Sequence, residues 1–329
     1  MSWQHIRGHD HWVKAFTEAL RRGRLGHAYL FAGPEGIGKR LFALELAKAL
    51  LCERSDGALR ACDQCASCKL ADASNHPDVL RAARPDDSVV FPIDTMRKVL
   101  AEMALKPARG GYKILILDNA DDFNDESANA FLKTLEEPPP MTLLIVLASD
   151  ATGQLATIIS RCQVIHFQPL SAAAVIQVLT EHGVERIRAE QLTRIAGGSP
   201  GLALQLSDDA FWSFREKLLA GLAVPKLDIL KLGKEWSSFV DQAGDESGAK
   251  RRRAALCVDL LMDLLGAALR QSVNNQSATA DSAAASSIAA HLGTDRLLTL
   301  LDRCLIAKRQ IDRLVQLSLV QEALIDALA

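Results

Sequence analysis

The stretch AYLFAGPEGIGKRLFALELAKAL, Ala28 to Leu50, decides how the first half of the chain folds. The unbroken apolar run from Ala28 to Ala32 reads as a strand buried on both faces. Gly33, Gly36 and Gly38 then interrupt it. Beyond Lys39, Phe42, Leu46, Ala49 and Leu50 return at helical spacing and predict an inward stripe. Strand, glycine loop and helix in that order turn backbone N–H groups toward phosphate at a helix N-terminus. The spacing G-x-x-x-x-G-K is complete through Lys39, the residue that reaches the outer phosphates in such loops. The next position calls for a hydroxyl to hold magnesium, and it carries Arg40.

The rest of the first half repeats the alternation. KILILDNAD, Lys113 to Asp121, predicts a second buried strand ending in acids. Asp118 stands where a magnesium-assisting aspartate belongs, but Asn119 follows where hydrolysis calls for a carboxylate to polarise water. The expectation is a loop kept for its backbone shape, without hydrolysis of its own and without a secure hold on ATP. A helix is predicted from Asn124, burying Ala128, Phe131, Leu132 and Leu135 and stopped by Pro138, Pro139 and Pro140. TLLIVLAS (142–149) and CQVIHF (162–167) predict two more strands.

From about Gln168 the periodicity is helical only. SAAAVIQVLTEHG ends in glycine, GGSPG (197–201) is a break, and everything periodic beyond Ser207 is helix. One predicted stripe runs through Cys257, Leu260, Leu261, Leu264, Leu265 and Ala268. Another runs through Leu297, Leu301, Cys304, Leu305, Ile311 and Leu314. The polar, repetitive segment 271–287 between them predicts a mobile loop. The outline is an α/β domain over 1–167, a small helical domain over 168–207, and a larger helical domain over 208–329.

With a net charge of −2 over 329 residues, the surface as a whole is no polycation built for DNA. No apolar run approaches the roughly 20 residues of a membrane span, and MSWQHIRGHD lacks a signal core, so a cytoplasmic protein is expected. Four of the seven cysteines, Cys52, Cys62, Cys65 and Cys68, have the spacing C-x₉-C-x₂-C-x₂-C within an insert over 52–68. Four thiolates close a tetrahedral site with no position open to water, which predicts structural Zn²⁺. An iron–sulfur cluster and four unligated thiols are the alternatives. The insert is not markedly basic and carries no aromatic residue, which weighs against a DNA-reading ribbon. KRRR, Lys250 to Arg253, reads as a solvated basic face. His5, His9, His11 and His27 lack ligand-like spacing, so no second metal is predicted.

Taken together, HAYLFAGPEGIGK (27–39), the four-cysteine insert, ANAFLKTLEEPP (128–139) and SRC (160–162) make the chain resemble the bacterial clamp-loader branch of the AAA+ ATPases over nearly its whole length. That resemblance implies a RecA-like AAA+ domain, a helical lid and an all-α collar that joins a hetero-oligomeric ring. The ATP-hydrolysing motor subunits of that branch, gamma/tau, carry intact Walker motifs and a lid sensor arginine. Arg40, Asn119 and Gly201 occupy those positions here, so the resemblance is to the branch's non-hydrolysing stator subunit. Implied partners are the delta and gamma/tau subunits, with the sliding clamp and primed DNA reached through the assembly, and no membrane. The resemblance also implies zinc at the four cysteines and makes Arg161, within SRC, an arginine finger for a neighbour's ATP. The plain alternative for Arg161 is a surface arginine at a strand end. Cys162 reads as a small buried apolar residue, and Glu136 and Glu137 as structural or inter-subunit residues. Two other functions remain open: a self-sufficient P-loop ATPase that tolerates Arg40 and Asn119, and a stand-alone zinc protein that binds DNA.

Overall fold

The apolar runs of the first half become the middle of one parallel sheet. The computed structural model describes residues 3–55, 59–109, 111–224, 226–274 and 282–328. Its strands are β1 (Ala28–Ala32), β2 (Val79–Ala82), β3 (Lys113–Leu117), β4 (Thr142–Ala148) and β5 (Gln163–His166). They stand in the order β2-β3-β4-β1-β5, every pair parallel. β1, β3 and β4 are buried along their whole length, as continuous apolar runs between two helical layers should be. Leu30 and Ala32 of β1 face one core with Leu115, Phe131 and Val146. Tyr29 and Phe31 point the other way, into rings from Phe16, Phe42 and Phe167.

The helices of this half are α1 (Asp10–Arg21), α2 (Lys39–Leu50), α3 (Ala66–Asp72), α4 (Ile93–Met103), α5 (Asp125–Glu136) and the single turn α6 (Ala156–Ile159). Asn124 caps α5 by accepting from the Ser127 N–H at 2.9 Å, and the prolines follow directly on its end. β2 escaped the sequence reading because its four residues form a half-buried edge, with Arg81 exposed and no apolar run to mark it. α1 and α4 escaped it too, although Met96, Val99 and Met103 of α4 are buried against the sheet. Three further helices follow: α7 (Ala172–Glu181), capped by Ser171, then α8 (Arg186–Ile195) and α9 (Pro200–Gln205).

The chain divides into two units, Met1–Leu204 and Gln205–Ala329. The second holds α10 (Asp209–Leu222), α11 (Ile229–Asp241), α12 (Ser247–Asn274), α13 (Ser282–Asp312) and α14 (Leu317–Leu328). The α12 stripe is buried as expected. On α13 the buried row is Leu297, Leu300, Cys304, Ala307 and Ile311, while Leu305 is 41% exposed. Leu305 follows Cys304 by one position, about 100° around the helix, and so leaves the stripe. The expected loop 271–287 is corrected at both ends, because 271–274 extend α12 and 282–287 open α13; 275–281 lie outside the described residues. KRRR is not a free basic face either. Arg251 donates to the carbonyls of Ile311, Leu314 and Val315 at the end of α13, and Arg253 lies over the rings of Phe211 and Phe239. Among the described residues no helix is long and apolar enough to cross a membrane.

Candidate functional site

At the C-terminal end of β1, Gly33, Gly36 and Gly38 all take positive φ and deliver the chain to Lys39, the first residue of α2. The loop therefore has the shape that cradles phosphate, but its cations are turned to other work. Lys39 folds back on its own loop, donating to the carbonyls of Gly33 and, at 2.7 Å, Pro34. Burial pushes its pKa down. Arg40 reaches across to β3 and forms an ion pair with Asp118. Asn119 sits in left-handed backbone, φ 56°, a conformation asparagine accepts more readily than glutamate.

The start of α9 closes over the same loop. The Ser199 hydroxyl donates to the Glu35 carbonyl at 2.9 Å, and the Gly201 N–H donates to the Gly36 carbonyl at 2.9 Å. A Cβ on Gly201 would lie 2.8 Å from the Gly36 Cα, so this packing admits no side chain at 201. Beneath the loop, buried His9 donates from Nε2 to the Ile37 carbonyl at 2.9 Å. Its Nδ1 has no protein partner among the described residues, and burial lowers its pKa. The glycines, Arg40, Asp118 and Gly201 are thus brought together; His9 was not foreseen, since nothing in its local sequence marks it.

Arg161 is at the other end of the sheet. β5 runs parallel to β1 with Gln163 opposite Tyr29 and His166 opposite Ala32. Arg161 lies in the turn between α6 and β5, ahead of the start of β5, whereas Gly33 follows the C-terminal end of β1. Arg161 is anchored where it stands. Its Nη1 donates to the Thr157 carbonyl at 3.0 Å and to Ser160 Oγ at 3.1 Å, and its Nη2 to Glu136 at 2.5 Å. Neighbouring Cys162 has its thiol pushed up to about 12 by burial, as suits a packed residue and not a nucleophile.

The four insert cysteines converge as predicted. Their Sγ atoms lie within 4.8 Å of one another, and all four thiols are free. Cys52 follows α2, Cys62 and Cys65 come from the turn leading into α3, and Cys68 from the first turn of α3 itself. Backbone N–H groups of Cys62, Cys65 and Cys68 point at the sulfurs of Cys52, Cys62 and Cys65 at 3.3–3.4 Å. Such donors bring Cys62 down to about 6, whereas burial raises Cys52 and Cys68. The cluster is compatible with a structural metal site whose cation would offset that burial. The sequence reading missed what moors it. Buried Lys48 reaches Glu45, Asp63 and Asp72, each at 3.0 Å, tying the insert and α3 to α2. Burial alone would lower the Lys48 pKa, but the three carboxylates raise it.

A glycine loop after β1 of a parallel sheet ordered β2-β3-β4-β1-β5, with helices α7–α9 after it and a further helical unit beyond, makes a multidomain protein of RecA-like AAA+ fold. A family model described as DNA polymerase III, delta subunit, matches residues 8–171. Subunit delta-prime of DNA polymerase III from Pseudomonas aeruginosa is 33% identical over 236 residues, 69% of this chain and 71% of that protein. The Escherichia coli delta-prime subunit is 30% identical over 309 residues, 91% of this chain and 88% of its own. The chain belongs to the DNA polymerase III delta-prime subunit family. Subunit tau of Escherichia coli is 34% identical over 212 residues, but these make up 32% of tau.

Proposed function

We propose that this chain is the delta-prime-like stator of a DNA polymerase III clamp loader, one subunit of a ring with delta and gamma/tau subunits that places a sliding clamp on primed DNA. It hydrolyses no ATP itself. It offers Arg161 to the ATP site of a neighbouring motor subunit, where a fixed guanidinium meets charge developing on the transferring phosphoryl group. The observation that carries this reading is that Arg161 stands at the start of β5, the opposite end of the sheet from the chain's own glycine loop after β1. A guanidinium there is remote from Lys39, and the donors that Thr157, Ser160 and Glu136 leave unengaged face outward to another molecule's phosphate. The ion pair of Arg40 with Asp118 supports the other half, because it engages the two positions between which magnesium would be held. Lys39 held by loop carbonyls, Asn119, and a lid position that excludes an arginine at 201 act in the same direction. The four cysteines hold structural Zn²⁺.

The motor reading draws on the likeness to tau over 63% of the chain. One set of measurements separates the two. The purified chain alone should release no phosphate from ATP, and Arg161→Ala should lower DNA-stimulated turnover of the reconstituted loader by about 10³-fold or more, the low end of arginine-finger effects. Multiple turnovers by the isolated chain, abolished by Lys39→Ala, establish the motor instead. Unchanged turnover of the Arg161→Ala complex removes the finger.

A further inference from the structure

Glu136 is the last residue of α5, where the helix presents the negative end of its dipole and a carboxylate is poorly placed. The prolines Pro138, Pro139 and Pro140 stop the chain there, so the carboxylate stays at that end. It is answered by Arg161, whose Nη2 donates to Glu136 Oε1 at 2.5 Å. On its other side the same guanidinium closes the end of α6, with Nη1 donating to the Thr157 carbonyl and to Ser160 Oγ. Three of the five N–H donors are thereby engaged, by two separate helix ends. The Nε–H and one Nη2–H have no protein acceptor among the described residues.

We infer that Glu136 is a positioning residue for Arg161: it holds the guanidinium plane from the α5 side, while α6 holds it from the other. This rests on Arg161 acting on a neighbour's nucleoside triphosphate. Stability is a poor account of the pair, since the Glu136 and Arg161 side chains are 51% and 34% exposed and ion pairs so open to water add little to folding. Orientation is a better one. A cation fixed before the neighbour docks needs no reordering as charge builds on the phosphoryl group, and the two remaining donors form the part of the fork left for phosphate oxygens. Glu136 itself touches no reacting atom.

The test uses the loader reconstituted with motor subunits, measuring kcat and KM for ATP with primed DNA. Arg161→Ala sets the floor. Glu136→Ala is expected to lower kcat about ten-fold with KM unchanged, within the range that small misplacements of reacting groups produce. Glu136→Gln keeps an acceptor oxygen and is expected to stay within about two-fold of wild type. Glu136→Ala added to Arg161→Ala should lower kcat no further. Equal or faster turnover of Glu136→Ala beside a slow Arg161→Ala overturns the role. So does a Glu136→Gln loader as slow as Glu136→Ala, or a double variant slower than Arg161→Ala alone. If Glu136→Ala fails to assemble, Glu136→Gln decides on the same criterion. A loader indifferent to Arg161→Ala removes the finger, and with it this inference.

Discussion

Holding magnesium beside a phosphate loop takes one oxygen from the helix and one from the neighbouring strand, and here the first is replaced by a cation that binds the second. The loss of the hydroxyl could be read from the sequence because the loop has fixed spacing, so one wrong residue at position 40 stands out; that Arg40 pairs with Asp118 only the fold shows. His9 had no such frame. Its partner is the carbonyl of Ile37, 28 positions away, and only folding shows that Nε2 is committed and Nδ1 is buried without a protein partner. A proton added at Nδ1 would be buried without an acceptor, so burial holds the folded pKa below the ordinary 6.5. Between those two values the unfolded chain binds more protons than the folded one. The stabilisation from neutral His9 is therefore complete above pH 6.5 and is lost as pH falls toward the folded value. His76, lowered by burial as well, adds to the same trend. His9→Gln should reduce the fall in melting temperature between pH 7.5 and 5.5 without abolishing it. Parallel pH profiles for the variant and wild type would falsify this assignment. The partner of Glu136, and Lys48 altogether, were obscure for the same reason as His9: Arg161 is 25 residues from the first, and Asp63 and Asp72 are 15 and 24 from the second.

Elements show where periodicity is a sufficient guide and where it fails. β1, β3 and β4 announced themselves because burial on both faces demands an unbroken apolar run. β2, on the edge, needs no such run and stayed hidden. In α13 the error was one of phase: choosing Leu305 over Ala307 favoured size over the 3-4 spacing that packing obeys. The contact between α9 and the phosphate loop was beyond any pattern, since it depends on two glycines meeting across 165 residues. Gly201→Ala would put a Cβ 2.8 Å from the Gly36 Cα and 2.9 Å from its carbonyl oxygen, both backbone atoms that must shift. It should cost roughly 1–3 kcal/mol in urea unfolding, as overpacking does. Gly153→Ala, with nothing within 4 Å of the new Cβ, is the control and should change stability by less than about 0.5 kcal/mol. Equal effects of the two would show that the contact between α9 and the glycine loop is loose. The cysteine spacing, by contrast, was explicit in the sequence, since two short steps and one long one leave few other arrangements. Purified chain should carry one zinc, and Cys68→Ser should lose it. The insert should then become sensitive to protease while the circular dichroism of the sheet is retained.

Over the whole molecule, the sequence separated an α/β first half from a helical remainder because period-2 and buried-run patterns cease near Gln168. It set the last division between 207 and 208, at the break before the longer helices, although helices on either side look alike in sequence. Packing divides them at Leu204 and Gln205. The second unit has the interior an independent domain requires. Trp236 is fully buried, Phe214 stacks on Phe239 with ring centroids 4.6 Å apart, and the α12 stripe packs among them. Its ends are closed from within, Arg251 on the Ile311 carbonyl of α13 and on the Leu314 and Val315 carbonyls just beyond it, and Arg296 on the Ala327 carbonyl at 2.7 Å. Its length falls within the usual size range of domains that fold alone. A fragment covering Gln205–Ala329 should therefore unfold in one cooperative urea transition, with a near-ultraviolet signal from buried Trp236 that disappears in the same step. Met1–Leu204 should retain the zinc and a cooperative transition of its own, since the sheet, the loop and the cysteine cluster all lie inside it. A broad, probe-dependent melt of the 205–329 fragment would mean that its helices borrow their stability from the first unit, and the boundary at Leu204 would not be one of folding.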